Sequence, residues 1–264
     1  RTFRFLDTGL FSRLWAKTAL EICPLHTIVD KIDLSSKSWL RNAQSNIDGE
    51  VLCLVTNETS DGVMLNDEEV GHGAVVADVT SDLGFRRLDI SRYAMLFAST
   101  GKAFGVSGMT ILIIRKDFLA QARDDLPRLQ SYGDTLRTHS MYATPPLYCI
   151  NILGHMLDWM EDAGGIDKIE EKQKFRSSRL YELLHHFPVY ELNVERHYRS
   201  MHNVCFSVCR QSDQHFNASA IDFGIHGLRG HSSIGGMRIN LTHGVSDESF
   251  EFLCDFLNEY GEKY

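Results

Sequence analysis

Residues 74–78 read Ala74-Val75-Val76-Ala77-Asp78, four apolar side chains in a row closed by a carboxylate. Successive residues of a strand face opposite sides of a sheet, so a half-buried strand alternates apolar and polar residues. A run that is apolar at every position fits a strand covered on both faces, as in parallel sheets sheathed by helices. Ile111-Leu112-Ile113-Ile114 reads the same way. Working outward, strands are expected at 2–6, 51–55, 74–77, 95–98 and 110–114, and helices at 11–21 and 36–44. This alternation predicts an α/β layered domain with a mainly parallel sheet.

Past Thr144-Pro145-Pro146 the pattern changes. Ile150, Leu153, Leu157 and Met160 recur at helical spacing, so 147–162 is expected to be a helix, stopped by Ala163-Gly164-Gly165. A second helix, mostly charged on one face, is expected over 166–186, ending ahead of Pro188. Strands at 203–209 and 238–241, a short helix at 218–226 and a closing helix at 247–260 complete an α+β portion. The boundary falls near 162–166, dividing a large α/β domain, 1–163, from a smaller α+β domain, 164–264. The chain opens on Arg1 and runs at once into a strand-like segment. It is expected to lack an N-terminal portion of the large domain.

Composition narrows the function. Hydrophobic residues make up 43% and charged residues 23%, ordinary values for a globular chain. The formal net charge of −8 argues against a nucleic-acid partner. No apolar run is long enough to span a bilayer, and no signal peptide opens the sequence. The six cysteines form no C-x-x-C pair, and most sit among apolar residues. They read as reduced core residues of a cytoplasmic protein. The twelve histidines show no H-E-x-x-H spacing, and no metal site is expected.

Chemistry concentrates in Leu96-Phe97-Ala98-Ser99-Thr100-Gly101-Lys102-Ala103-Phe104-Gly105-Val106-Ser107-Gly108. One lysine sits among small residues, on a turn that a ligand can approach closely. Three readings compete. Lys102 could be an ordinary loop lysine. A phosphate-binding P-loop fails on spacing, because it requires glycine at 96 and Ser or Thr at 103, where Leu96 and Ala103 stand. The third is a Schiff-base lysine, whose amine is kept neutral by burial near other cations. Asp78 adds weight to the third. At the end of a buried strand it should lie on the carboxyl edge of the sheet, where open α/β sheets bind ligands. There it could pair with the pyridinium nitrogen of pyridoxal phosphate. Alone, it would be read as a cap or turn residue.

These segments resemble the core of the phosphoserine aminotransferases. Val76-Ala77-Asp78-Val79-Thr80-Ser81, Arg87-Leu88-Asp89-Ile90-Ser91-Arg92-Tyr93, the Lys102 turn and Gly108-Met109-Thr110 follow that family's order and spacing. Asn57-Glu58-Thr59, Ala143-Thr144-Pro145-Pro146, Arg229-Gly230-His231, Gly235-Gly236-Met237-Arg238 and Asp7-Thr8-Gly9-Leu10-Phe11 extend the likeness over nearly the whole chain. The resemblance implies a fold-type I aminotransferase with pyridoxal 5'-phosphate as cofactor. It implies a homodimer with shared active sites, and transfer of an amino group between phosphoserine and 2-oxoglutarate in serine biosynthesis. Lys102 would anchor the cofactor and move the substrate proton. Asp78 would hold the ring nitrogen and Thr59 the phenolic side. Phe11 would stack in place of the family's tryptophan. Thr144 would reach the cofactor phosphate of the neighbouring subunit. Arg238 would clamp the substrate carboxylate, and His231 would face the substrate phosphate.

Four departures stand out. The family's glycine-rich phosphate loop and an upstream substrate-binding arginine precede the segment equivalent to Arg1. Gly101 replaces a glutamine, Ala143 an asparagine and Ser232 an arginine. Each such loss removes polar contacts of about 1.5–3 kcal/mol. The alternative function is that of a degenerate paralogue with a binding or structural role. Retention of Lys102, Asp78, Thr59 and Arg238 as a set favours the enzyme. Taken singly, Arg238 would be a strand-end ion pair and His231 a plain loop histidine. The Gly235-Gly236 turn between them favours a ligand site.

Overall fold

The computed structural model describes residues 1–32, 49–70, 73–123 and 125–264. The helix expected at 36–44 lies outside the described residues. In chain order the strands of the first half are β1 (Thr2–Asp7), β2 (Thr27–Lys31), β3 (Glu50–Val55), the short pair β4 (Asn57–Glu58) and β5 (Val63–Met64), then β6 (Val75–Asp78), β7 (Met95–Ser99) and β8 (Thr110–Ile114). Six of them form one sheet in the order β2-β1-β3-β6-β7-β8. All pair in parallel except β8, which runs antiparallel to β7. The architecture is the mainly parallel α/β sheet expected of fold-type I.

The central strands are buried as their sequences require. Leu54, Val75, Ala77, Leu96 and Ala98 pack with Leu6, Val79, Tyr93 and Tyr198 in one apolar layer. On the other face Trp15, from helix α1 (Leu10–Ile22), meets Phe5 and Phe97 edge-on at 5.0 and 5.1 Å. The expectation for 110–114 needs correcting. β8 is not covered on both faces: it is an edge strand, and Ile113 is 38% exposed. An apolar run records what a strand can bury, not what covers it within this chain. β2, the β4–β5 hairpin and the two-residue β9 (Tyr190–Glu191) were not expected, being short or weakly patterned.

Two short helices, α2 (Lys116–Leu119) and α3 (Tyr132–Arg137), follow β8 and lead to α4 (Leu147–Asp162), which has the expected bounds. Gly164, at φ 93°, takes the left-handed conformation that ends α4. α5 (Gly165–His186) then runs into a three-stranded antiparallel sheet, ordered β11-β10-β9, with β10 at Asn203–Val208 and β11 at Met237–Asn240. α6 spans Asp213–Phe223 and not 218–226. The Ser212 hydroxyl accepts the His215 N–H at 3.1 Å and starts the helix early, and Gly224 at φ 96° ends it. α7 (Asp247–Lys263) closes the chain. Leu180, Leu184, Phe206, Phe216 and Leu257 anchor a second, separate core. We propose 1–163 and 164–264 as the large and small domains. α5 begins against Phe85 and Phe104 of the first and ends in the core of the second.

Buried polar bonds tie the two parts. The Asn57 amide donates to Asn203 Oδ1 at 2.8 Å, and the Ser200 hydroxyl donates to Asn57 Oδ1 at 2.6 Å. Asp82, with no exposed surface, bonds Arg86 Nη2 at 2.7 Å and His202 Nε2 at 3.1 Å. Burial alone would raise the Asp82 carboxyl, but Arg86 and His202 outweigh it and bring the pKa down to about 2. That lies below the ordinary unfolded value of ~3.9, so the stabilisation is complete above about pH 4 and is lost as the pH falls towards 2. Asp82→Asn should therefore destabilise the fold by roughly 3 kcal/mol near neutrality, by weakening the pairing of the buried Arg86 cation. Urea unfolding at neutral and at acidic pH should show the gap between variant and parent closing in acid.

Candidate active site

The carboxyl edge of the parallel sheet carries the reactive groups. Asp78 is the last residue of β6, set beside Val55 of β3 and Phe97 of β7. Its Oδ1 accepts the Thr80 N–H at 2.9 Å, and the Thr80 hydroxyl accepts the Ser99 N–H at 3.1 Å, which links the ends of β6 and β7. Burial raises the Asp78 pKa, opposed by the bonds from Thr80 and by the charge of Lys102. Lys102 follows β7 on a turn held by the Thr100 hydroxyl, which donates to the Val106 carbonyl at 2.6 Å. Partial desolvation and the positive charge of Arg238 lower its amine pKa, against the pull of Asp78. The lowered amine pKa favours the neutral form that a nucleophile needs. Gly101 has a local reason. A Cβ there would lie 2.2 Å from the Ser107 hydroxyl, which occupies the space a side chain would need.

Arg238 enters from β11. Its backbone N–H bonds the Leu228 carbonyl at 2.7 Å, and its Nη1 donates to the Thr59 carbonyl at 3.2 Å. Nε is buried and has no hydrogen-bond partner among the described residues. A buried donor left unpaired costs about 1–3 kcal/mol, and the Arg238 guanidinium lies near enough to Lys102 to act on its charge. Thr59 is buried beside β4. Phe11, the second residue of α1, is 38% exposed, and its ring lies 6.4 Å from that of His231. His231 Nδ1 accepts the Ser233 N–H at 3.2 Å, so in the neutral ring the proton sits on Nε2. The loop is tight: a Cβ on Gly230 would come within 2.0 Å of the Gly235 carbonyl, and Gly235 and Gly236 take φ 85° and 65°. Arg229, Gly230, His231, Ser232 and Asp213 line a cavity of about 500 Å³.

The structure thus brings Phe11, Thr59, Asp78, Lys102, His231 and Arg238 to one place, from both parts of the chain. It does not bring Thr144 there. Thr144 is exposed on the stretch leading to α4, and makes no side-chain hydrogen bond among the described residues. Sequence reading missed Glu58 and Asp61. Both stand in Asn57-Glu58-Thr59-Ser60-Asp61-Gly62, but only the fold places them under α1. The Leu10 N–H donates to Asp61 Oδ2 at 3.0 Å, and the Phe11 and Ser12 N–H groups donate to Glu58 at 2.8 Å.

A mainly parallel sheet covered by helices, followed by a small antiparallel sheet, is the architecture of a fold-type I aminotransferase. The known proteins agree. The family model described as "Aminotransferase class-V" matches residues 29–245. A phosphoserine aminotransferase of Marinomonas sp. (strain MWYL1) is 30% identical over 268 residues, covering 98% of this chain and 73% of that protein. That of Desulfotalea psychrophila is 29% identical over 263 residues, 97% of this chain and 72% of that protein. The structure of phosphoserine aminotransferase from Bacillus circulans subsp. alkalophilus superposes with a TM-score of 0.88 at 26% identity, covering all of this chain and 74% of that one. The chain belongs to the class-V aminotransferases and, within them, to the phosphoserine aminotransferase family.

Gly9 is set by contact, since its φ of 173° is open to any residue. A Cβ there would lie 2.7 Å from Asp61 Oδ2 and 2.8 Å from Glu58 Cδ. Gly9→Ala should displace both carboxylates and destabilise the protein by about 1–3 kcal/mol, read as a lower urea midpoint with an unchanged slope.

Proposed function

We propose that this chain catalyses pyridoxal-phosphate-dependent transamination between O-phospho-L-serine and 2-oxoglutarate, giving 3-phosphohydroxypyruvate and L-glutamate. The observation that carries the reading is Arg238. Nη1 is engaged by Thr59, and among the described residues no protein group bonds the edge bearing Nε and Nη2, Nε being buried. That edge suits two parallel hydrogen bonds to one carboxylate, a group common to all four substrates. A carboxylate there would also satisfy the orphaned donor.

The residues fit the cofactor. Asp78 would hold the ring nitrogen, and its position at a strand end with two bonds from Thr80 keeps the carboxylate in one orientation. Pyridoxal phosphate, when bound, supplies an electron sink for negative charge at the substrate Cα. Lys102 would anchor it covalently through Nζ. Its lowered pKa leaves Nζ able to take the proton from Cα and to return it on the other side of the exchange. Phe11 would cover one face of the ring, and the Thr59 hydroxyl would bond the phenolic oxygen. His231, whose Nε2–H makes no hydrogen bond among the described residues, would donate to the substrate phosphate. Thr144 would serve a neighbouring subunit, so the working form in this proposal is a homodimer with shared sites. All six cysteines are free thiols, which supports a cytoplasmic setting.

Two measurements test this. The cofactor-loaded protein should show a visible absorbance band that borohydride removes, and Lys102→Ala should abolish it. A band that survives in the variant makes another lysine the anchor, and its absence from the parent protein favours the non-catalytic alternative. The substrate test rests on Ser232, a neutral hydroxyl where the family carries an arginine. Ser232→Arg should lower the KM for phosphoserine several-fold and leave the KM for 2-oxoglutarate nearly unchanged. Faster turnover of serine or alanine than of phosphoserine would remove the phosphate from the substrate assignment.

A further inference from the structure

Helix α1 starts against carboxylates that the proposed chemistry does not use. Glu58 has no exposed surface, yet gives one oxygen to the Ser12 N–H and the other to the Phe11 N–H, both at 2.8 Å. Asp61 takes the Leu10 N–H, and is itself held by the Ser60 hydroxyl at 2.8 Å. The Ser12 hydroxyl accepts the N–H groups of Thr8 and Gly9 at 3.0 and 3.1 Å. Every N–H at this helix end is therefore engaged. A helix ordinarily takes its cap from the residue just ahead of it. Here that residue is Gly9, and the cap comes from 47 positions away. Burial pushes the Glu58 carboxyl up, and the bonds from Ser12 and Phe11 pull it back. Capping alone does not call for a buried carboxylate. What this one adds is a rigid link between Phe11 and the residue next to Glu58, which is Thr59.

We infer that Glu58 is a positioning residue: by gripping the Phe11 and Ser12 N–H groups it fixes the ring of Phe11 and the hydroxyl of Thr59 as one unit around the cofactor ring. This rests on the transaminase reading. Thr59 is tied in turn to Arg238 through its carbonyl, so the unit extends to the substrate clamp. Asp61 and Gly9 complete it, the first by holding Leu10 and the second by leaving room for both carboxylates.

The test is a double-mutant cycle on the cofactor-loaded protein, with Glu58→Gln, Phe11→Leu and both together. An amide keeps the shape of Glu58 but offers one acceptor where two N–H groups need one each. Glu58→Gln should weaken pyridoxal phosphate binding about tenfold and reduce the circular dichroism of the visible band per bound cofactor. In the cofactor-free protein it should speed amide hydrogen exchange at Phe11 and Ser12. In the Phe11→Leu background Glu58→Gln should cost little further affinity, because the ring it positions is already gone. Equal losses in both backgrounds overturn the inference and leave Glu58 a plain helix cap. Should Glu58→Gln not fold, Glu58→Asp, which keeps the charge but shortens the reach, runs the same cycle. A parent protein that takes up no pyridoxal phosphate overturns the transaminase reading and this inference with it. A parent that binds normally but gives additive effects overturns this inference alone.

Discussion

Three consecutive residues after β3, two through their side chains and one through its carbonyl, join the sheet, helix α1 and the small domain. Asn57 exchanges buried hydrogen bonds with Asn203 and Ser200 of the small domain. Glu58 takes the first N–H groups of α1. Thr59 gives its carbonyl to Arg238. Such groups cannot be buried singly, because an unpaired polar atom away from water costs more than its bond returns. They are stable only when the sheet, the helix and the small domain are all in place. The turn is therefore a junction that forms together with the tertiary structure, and each element it joins carries a residue of the candidate site.

Charge at the site follows from the same junction. Asp78 and Lys102 stand at the ends of neighbouring strands and would neutralise each other if left alone. Arg238, brought in by its bond to Thr59, disturbs that balance. With partial burial, it lowers the Lys102 amine, and it offers a second cation to anionic ligands. Asp78 stays fixed by Thr80, which also joins its strand to β7. A parallel sheet sets such groups side by side because its strands all end at one edge. The arginine that makes them chemically useful has to come from elsewhere.

The departures from the family pattern divide in two. Gly101 belongs to its surroundings, since Ser107 fills the place of a side chain. Ser232 lies exposed on the rim of the cavity beside His231, where nothing in the packing requires a small residue.

The sequence by itself determined the layered architecture. The apolar run 74–77 reads as a strand able to be covered on both faces, and it ends in Asp78, with Lys102 following β7, so strand, edge and reactive pair were legible together. Helix 147–162 was legible from its apolar spacing and its glycine stop. Short or weakly patterned elements were not, because β2, β9 and the β4–β5 hairpin take their stability from neighbours and not from their own residues. The start of α6 was missed because a cap such as Ser212 acts through one hydrogen bond and leaves no periodic trace. β8 was misjudged because an apolar sequence states a capacity for burial, while its cover depends on what else packs there. Only the tertiary structure decided that Glu58 and Asp61 cap α1, that Arg238 reaches Thr59 with its Nε unpaired, and that Phe11 lies beside His231. These contacts join residues tens to hundreds of positions apart, and a linear pattern carries no record of distance in space.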